Sequence, residues 1–125
     1  MFTKTLFIAL AFVMVVGADR LVAFRKYVGC YKDSHKRDLI VSGARDRKGM
    51  TVDKCIAICG HKRYRFAGLQ NSWQCFCGNH VGMHGPAHES ECNKRCTGNR
   101  REICGGSWRN SVYSTIRSRK DFRRL

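Results

Sequence analysis

Eight cysteines, Cys30, Cys55, Cys59, Cys75, Cys77, Cys92, Cys96 and Cys104, are the side chains in this sequence best equipped for covalent or metal chemistry. Reduced, they would be zinc ligands or nucleophiles; oxidised, they would be four crosslinks. The first residues decide between these. Met1 to Ala18 carries Lys4, an apolar run of 11 residues from Leu6 to Val16, and the small pair Gly17-Ala18, which is the pattern of a secretory signal peptide. The run is well short of the roughly 20 residues that cross a bilayer as a helix. An exported chain meets an oxidising compartment, so the cysteines are expected as disulfides, with no metal, no other cofactor and no cysteine nucleophile.

His80, His84 and His88 recur every four residues and would align three imidazoles on a helix, but Gly82, Gly85 and Pro86 make the segment a loop. Glu89 and Glu91 stand two apart in that loop, and no Gly-x-Ser-x-Gly, His-Glu-x-x-His or phosphate-cradling glycine loop occurs. The sequence therefore points away from an enzyme and toward binding. Aromatic faces stack on pyranose rings while amides and guanidinium groups meet hydroxyls, and Trp73, Trp108, Tyr64, Asn71, Gln74 and Arg109 are the candidates for such a glycan site. Trp73 falls on a turn between two expected strands, and Trp108 sits between Gly105-Gly106 and Arg109. Tyr31 and Tyr113, beside cysteine and valine, are expected in the core.

The second binding set is cationic. Formal net charge is +15, a field that attracts polyanions. The run His61-Lys62-Arg63-Tyr64-Arg65-Phe66 interleaves bases with aromatics, and Arg100 and Arg101, with Lys36, Arg37, Arg45, Arg47 and Lys48, extend it toward a continuous basic face. Outside a cell the partners of such a face are sulfated glycosaminoglycan or an anionic membrane surface rather than nucleic acid.

These residues must be positioned by a small scaffold. Removal of residues 1–18 leaves 107, enough for one domain but one that buries only about two-thirds of its unfolded surface, so covalent support is expected. Residues 19–26 form a short lead-in ending in the dibasic Arg25-Lys26. Tyr27 to Tyr31 reads as an opening strand, followed by a charged loop to Gly49. Val52, Cys55, Ile56 and Cys59 fall at helical spacing, with Thr51 as N-cap, Asp53 in the first turn and Lys62 and Arg63 near the end, which predicts a helix over 52–61. Strands follow at 65–70 and 74–78 around Asn71-Ser72, then a loop over 79–110 and a last strand over 111–116. The tail 117–125, with Arg117, Arg119, Lys120, Arg123 and Arg124, is expected to be disordered. Cys55 and Cys59 share a helix face, and Cys75 and Cys77 share a strand face. One helical turn rises about 5.4 Å and two strand residues span about 6.6 Å, so two bridges can form a ladder between them. That geometry leaves Cys30, Cys92, Cys96 and Cys104 to pair among themselves in an order it does not fix.

Several motifs together resemble a known family: Gly29-Cys30-Tyr31, Met50-Thr51, Cys55-x-x-x-Cys59, Phe66-Ala67-Gly68-Leu69-Gln70, Cys75-Phe76-Cys77-Gly78-Asn79, Cys92-x-x-x-Cys96, Gly98-Asn99, Cys104-Gly105-Gly106 and Val112-Tyr113. From Tyr27 to about Thr115 the chain resembles a WSC domain, giving a WSC-like unit over 27–116. The resemblance implies an α+β, PAN-like, disulfide-rich fold, one main helix on an antiparallel sheet, with pairs Cys55–Cys75, Cys59–Cys77, Cys30–Cys92 and Cys96–Cys104. It also implies a secreted, extracellular carbohydrate-binding module whose partner is a polysaccharide or glycoconjugate. The chain departs from the pattern at Asn71 and Ser72, where relatives often carry an aromatic residue and a glycine, and at Trp73, often a polar position. With no Ser/Thr-rich stalk and no transmembrane helix, it is expected to be a free-standing, monomeric module.

Overall fold

Thr51 stops the chain in extended conformation and its hydroxyl accepts from the Lys54 N–H at 3.1 Å, which starts α1 (Val52–His61) where the apolar spacing begins. The computed structural model describes residues 25–116. The expected signal segment, residues 19–24 of the lead-in and the tail 117–125 lie outside the described residues. Around α1 the chain forms β1 (Lys26–Lys32), β2 (Val41–Arg45), β3 (Phe66–Gln70), β4 (Gln74–Gly78), a 3-10 turn at Glu89–Glu91, β5 (Arg95–Cys96), β6 (Asn99–Ile103) and β7 (Arg109–Ser114).

Five strands make one antiparallel sheet in the order β1-β7-β3-β4-β2, and β5 and β6 form a separate two-stranded ribbon. β3 is central, with Gln70 opposite both Gln74 of β4 and Asn110 of β7. Side chains alternate across a strand, so the sheet has two apolar faces. One packs Ala67, Leu69, Cys75 and Cys77 against Val52, Cys55, Ile56 and Cys59 of α1. The other carries Phe76 and Val112 beneath Leu39, which is fully buried.

Four disulfides hold these layers, with paired Cα atoms 4.8 to 6.1 Å apart. Cys55–Cys75 and Cys59–Cys77 are the expected helix-to-strand ladder. Cys30–Cys92 ties β1 to the chain after the 3-10 turn, and Cys96–Cys104 links β5 to the residue after β6. All four pairs are those the resemblance implied.

Three strands and the bounds of a fourth correct the sequence reading. The charged loop before Gly49 contains β2, which pairs with β4 through a bulge between Ser42 and Ala44. The loop over 79–110 contains β5, β6 and the 3-10 turn, and the last strand runs from Arg109 to Ser114 rather than from 111 to 116.

Candidate functional site

The residues around Trp108 form the most elaborated polar–aromatic constellation among the described residues. Trp108 is 39% exposed and has φ of 55°, a left-handed conformation that costs a bulky residue about 1–3 kcal/mol. Its loop is closed by the Gly106 and Arg109 backbones, which bond each other at 3.0 and 3.2 Å. The Trp108 carbonyl accepts from the Asp33 N–H at 3.0 Å and from Arg109 Nη1 at 2.9 Å, so the loop is anchored to the end of β1.

Against the indole lie two side chains from the loop after β1. The His35 ring meets it edge-on at 4.9 Å, and the Arg37 guanidinium lies 5.0 Å from the Trp108 ring centre and 4.6 Å from that of Phe76. Arg37 thus stands between two aromatic rings, a cation–π arrangement. Asp33 fixes it there at 2.6 Å. Only 1% of the Asp33 side chain is exposed. Its carboxylate also accepts from the Asp38 N–H at 3.0 Å and Gln70 Nε2 at 2.8 Å. Gln70 Nε2 donates in turn to Asn110 Oδ1 at 3.0 Å, and Asn110 Nδ2 is buried with no partner among the described residues. Burial alone would push the Asp33 carboxyl up, but the bonds from Asp38 N–H, Gln70 and Arg37 outweigh it and hold it below the usual carboxylate value.

The other proposed glycan residues are distributed unevenly. Trp73 lies at the same end of the sheet as Trp108, since both flank the Gln70 register, but it is half-buried and the Arg47 guanidinium covers its ring at 4.0 Å. Asn71 and Gln74 belong to the same hairpin end, with the Asn71 N–H donating to the Gly106 carbonyl at 3.2 Å. Arg109 sits beside Trp108 but is held by Glu91 at 3.0 and 3.1 Å. Tyr64 precedes β3 at the far end of the sheet and packs against the helical core, so it does not join this group. Tyr31 and Tyr113 are both half-buried at the edge of the core, Tyr31 packed on the Leu39 cluster and Tyr113 on the helical one, and Tyr113 also lines a cavity.

The cationic candidates divide as well. Lys62, Arg63 and Arg65 are exposed at the C-terminal end of α1. Arg100 and Arg101 are exposed on β6, whose Glu102 accepts from the Val52 N–H at the opposite end of the helix. A helix of 10 residues is about 15 Å long, so these two groups stand at opposite ends of α1. His80 and His88 are exposed, and His84 bonds Ser34 Oγ at 3.0 Å, all in a loop as expected. Cys55, Cys59 and Cys75 bring their sulfurs together, but as disulfides they are not thiolate ligands.

Sequence reasoning missed Asp33 and His35, which meet Trp108, and Gln70, which bonds Asp33, and took Arg37 only as surface charge. Gln70 stood in the Gly-Leu-Gln motif, which was the available signal.

Acidification provides a check on this polar framework. Lys54 and the Lys48 and Gly49 N–H groups hold Asp46 down to about 2, and Arg109 with the His88 N–H holds Glu91 low. Lowered native values mean that the native state keeps these carboxylates ionised where the unfolded chain already binds protons. Their contribution is complete above about pH 4 and is lost as pH falls through the native values. The urea midpoint is expected to fall between pH 5 and pH 2, and Asp33→Asn should flatten that fall. A midpoint constant over this range would contradict the assignment.

Comparison with known proteins agrees with the fold. Residues 27–106 match the family model described as WSC domain. Kremen protein 1 of Rattus norvegicus is 34% identical over 91 residues, covering 71% of this chain and 19% of that protein. A WSC domain-containing protein of Arthroderma benhamiae is 40% identical over 97 residues, covering 71% and 10%. The protein named xylosyltransferase oxt in Drosophila melanogaster is 34% identical over 90 residues, covering 70% and 10%. The chain therefore spans a fifth or less of these relatives' own lengths. Among the described residues no helix is long and apolar enough to cross a membrane.

Proposed function

The chain belongs to the WSC domain family, and on that premise we propose that it is a secreted, monomeric, non-enzymatic module that binds glycans on the exposed face of Trp108. The observation that carries this reading is the indole itself: 39% exposed, held in a left-handed backbone conformation, and backed by an arginine that a buried carboxylate fixes in place. Strain of this kind persists where the surrounding structure enforces it, and it concentrates at binding sites. A rigid aromatic face suits the C–H side of a pyranose, while Arg37 and His35 at its edge suit hydroxyl or acidic groups.

The described carboxylates support a binding rather than a catalytic role. Asp33, Asp46, Asp53, Glu91 and Glu102 are ion-paired, Asp38 accepts from the Gly82 and Met83 N–H groups, and Glu89 accepts from the Tyr27 hydroxyl and the Cys30 N–H. Lys62, Arg63, Arg65, Arg100 and Arg101 are exposed with no carboxylate partner among the described residues, which favours an added, salt-dependent attraction to sulfated glycosaminoglycan or an anionic surface.

A glycan array probed with the disulfide-intact protein tests the reading. Trp108→Ala is expected to weaken the strongest signal about tenfold, on the order of 1.4 kcal/mol, and Trp73→Ala to change it less. Absence of any glycan signal, or equal binding by Trp108→Ala, would defeat it.

A further inference from the structure

A cavity of about 160 Å³ is lined by Tyr27, Glu89, Cys92, Ile103, Ser111 and Tyr113, with Trp108 not among them. Tyr27 of β1 and Tyr113 of β7 are register partners, and their rings stand 5.1 Å apart at an angle of 57°. Tyr27 is 44% exposed, so its ring edges the opening rather than filling the core. Glu89 accepts from the Tyr27 hydroxyl at 2.7 Å and from the Cys30 N–H at 3.3 Å. A carboxylate has about four acceptor positions, so these two bonds leave it capacity for another donor.

On a chain of net charge +15, Glu89 has no cationic partner among the described residues. Burial raises the Tyr113 phenol above its ordinary value, Arg25 opposes that rise, and Glu102, Asp53 and Glu89 add to it. Arg25 is itself ion-paired with Asp53 and Glu102. The cavity thus sets one carboxylate without a cationic partner, Glu89, beside two aromatic rings on a basic protein. Two tilted π-faces beside a carboxylate match a small cation with an organic body, and repel an anion.

We propose that this cavity binds a small organic ammonium ion, with the Tyr27 and Tyr113 rings against its carbon atoms and Glu89 as its counter-ion. The volume suits a group the size of choline or one amino-sugar ring and excludes a longer ligand from full enclosure. Tyr27 remains a neutral hydrogen-bond donor throughout, since burial and Glu89 hold its phenol well above the ordinary value. The site is separate from the glycan face and does not depend on it.

The test is a titration of the full, oxidised protein with choline, tetramethylammonium and glucosamine, read by the tyrosine ring resonances. The Tyr27 and Tyr113 signals are expected to shift saturably with the ammonium probes. N-acetylglucosamine and 3,3-dimethylbutan-1-ol, the neutral counterparts of glucosamine and choline, should leave them in place. Glu89→Gln, which keeps an acceptor for the Tyr27 hydroxyl, should weaken the response about tenfold, while Trp108→Ala should not alter it. Response to choline but not glucosamine would assign the pocket to quaternary groups, and the reverse to primary ammonium. No saturable shift, equal shifts with the neutral compounds, or unchanged affinity in Glu89→Gln would overturn the proposal.

Discussion

Joint replacement of Cys30 and Cys92 by alanine lowers the unfolding free energy by about 4 kcal/mol, more than loss of any other bridge. The reason is loop length. Cys30 and Cys92 are 62 residues apart, against 20 and 18 for the two helix-to-strand bridges and 8 for Cys96–Cys104. Closing a longer loop removes more entropy from the unfolded chain, which gives about 3 kcal/mol for each ladder bridge and about 2.5 kcal/mol for Cys96–Cys104. A domain of this size holds about 5–15 kcal/mol in all, so the double variant stays folded only marginally. Denaturant unfolding of the four double-alanine variants, without reductant, measures the series. Equal losses, or the largest loss at Cys96–Cys104, would contradict the ranking.

Gly105→Ala is expected to cost at least as much, about 4 kcal/mol, by a different route. Gly105 has φ of 70°, and a methyl group built there collides with the Leu69 and Arg109 carbonyl oxygens and the Gln70 Cα, all backbone atoms of the paired strands. Its N–H also donates to Ser111 Oγ at 3.0 Å. The collision cannot be relieved by turning a side chain, so the Gly105–Arg109 turn must move, and Trp108 with it. Gly85→Ala is the control. Gly85 has φ of 86° but nothing within 4 Å of the added carbon, so only the backbone penalty of about 1 kcal/mol applies. Comparable losses in the two variants would show that steric contact at Gly105 is not the cause. A Gly105→Ala protein of normal stability that retains the Trp108 environment in its fluorescence would count equally against it.

What the sequence disclosed depended on how local the determining interactions are. α1 was legible because Thr51, Val52, Cys55, Ile56 and Cys59 set its cap and its buried stripe within a dozen residues, and α1 runs over the expected range. The β3–β4 hairpin was legible because Asn71 and Ser72 mark its turn, and both take positive φ, 56° and 78°. β2 was not legible: Val41-Ser42-Gly43-Ala44-Arg45 has one β-branched residue and a central glycine, and it is a strand because β4 supplies a partner. β6 likewise carries Arg100 and Arg101 on exposed positions and holds its place beside β5, which Cys96–Cys104 secures.

The candidate site divides in the same manner. Trp108 was identifiable as an aromatic residue beside a glycine turn. Its support was not, because Asp33, Arg37, Gln70 and Asn110 meet only after β1, β3 and β7 align; Asp33 and Gln70 are 37 residues apart, and Gln70 and Asn110 are 40 apart. Lys62, Arg63 and Arg65 stand at the opposite end of α1 from Arg100 and Arg101, a placement that composition alone cannot give. Tyr64 was grouped with the tryptophans by residue type, and the strand between them puts it at the other end.

The account rests on the exposed Trp108 indole as the surface that meets a glycan. Its most direct test is to record the Trp108 indole N–H resonance while titrating the strongest array glycan, in 0.15 M and then 0.5 M salt. The expected result is a saturable shift centred on Trp108, His35 and Arg37 that survives the higher salt and is absent at Trp73. Shifts confined to Lys62, Arg63, Arg65, Arg100 and Arg101 that vanish in 0.5 M salt would contradict it, because binding would then be electrostatic and the tryptophan face uninvolved.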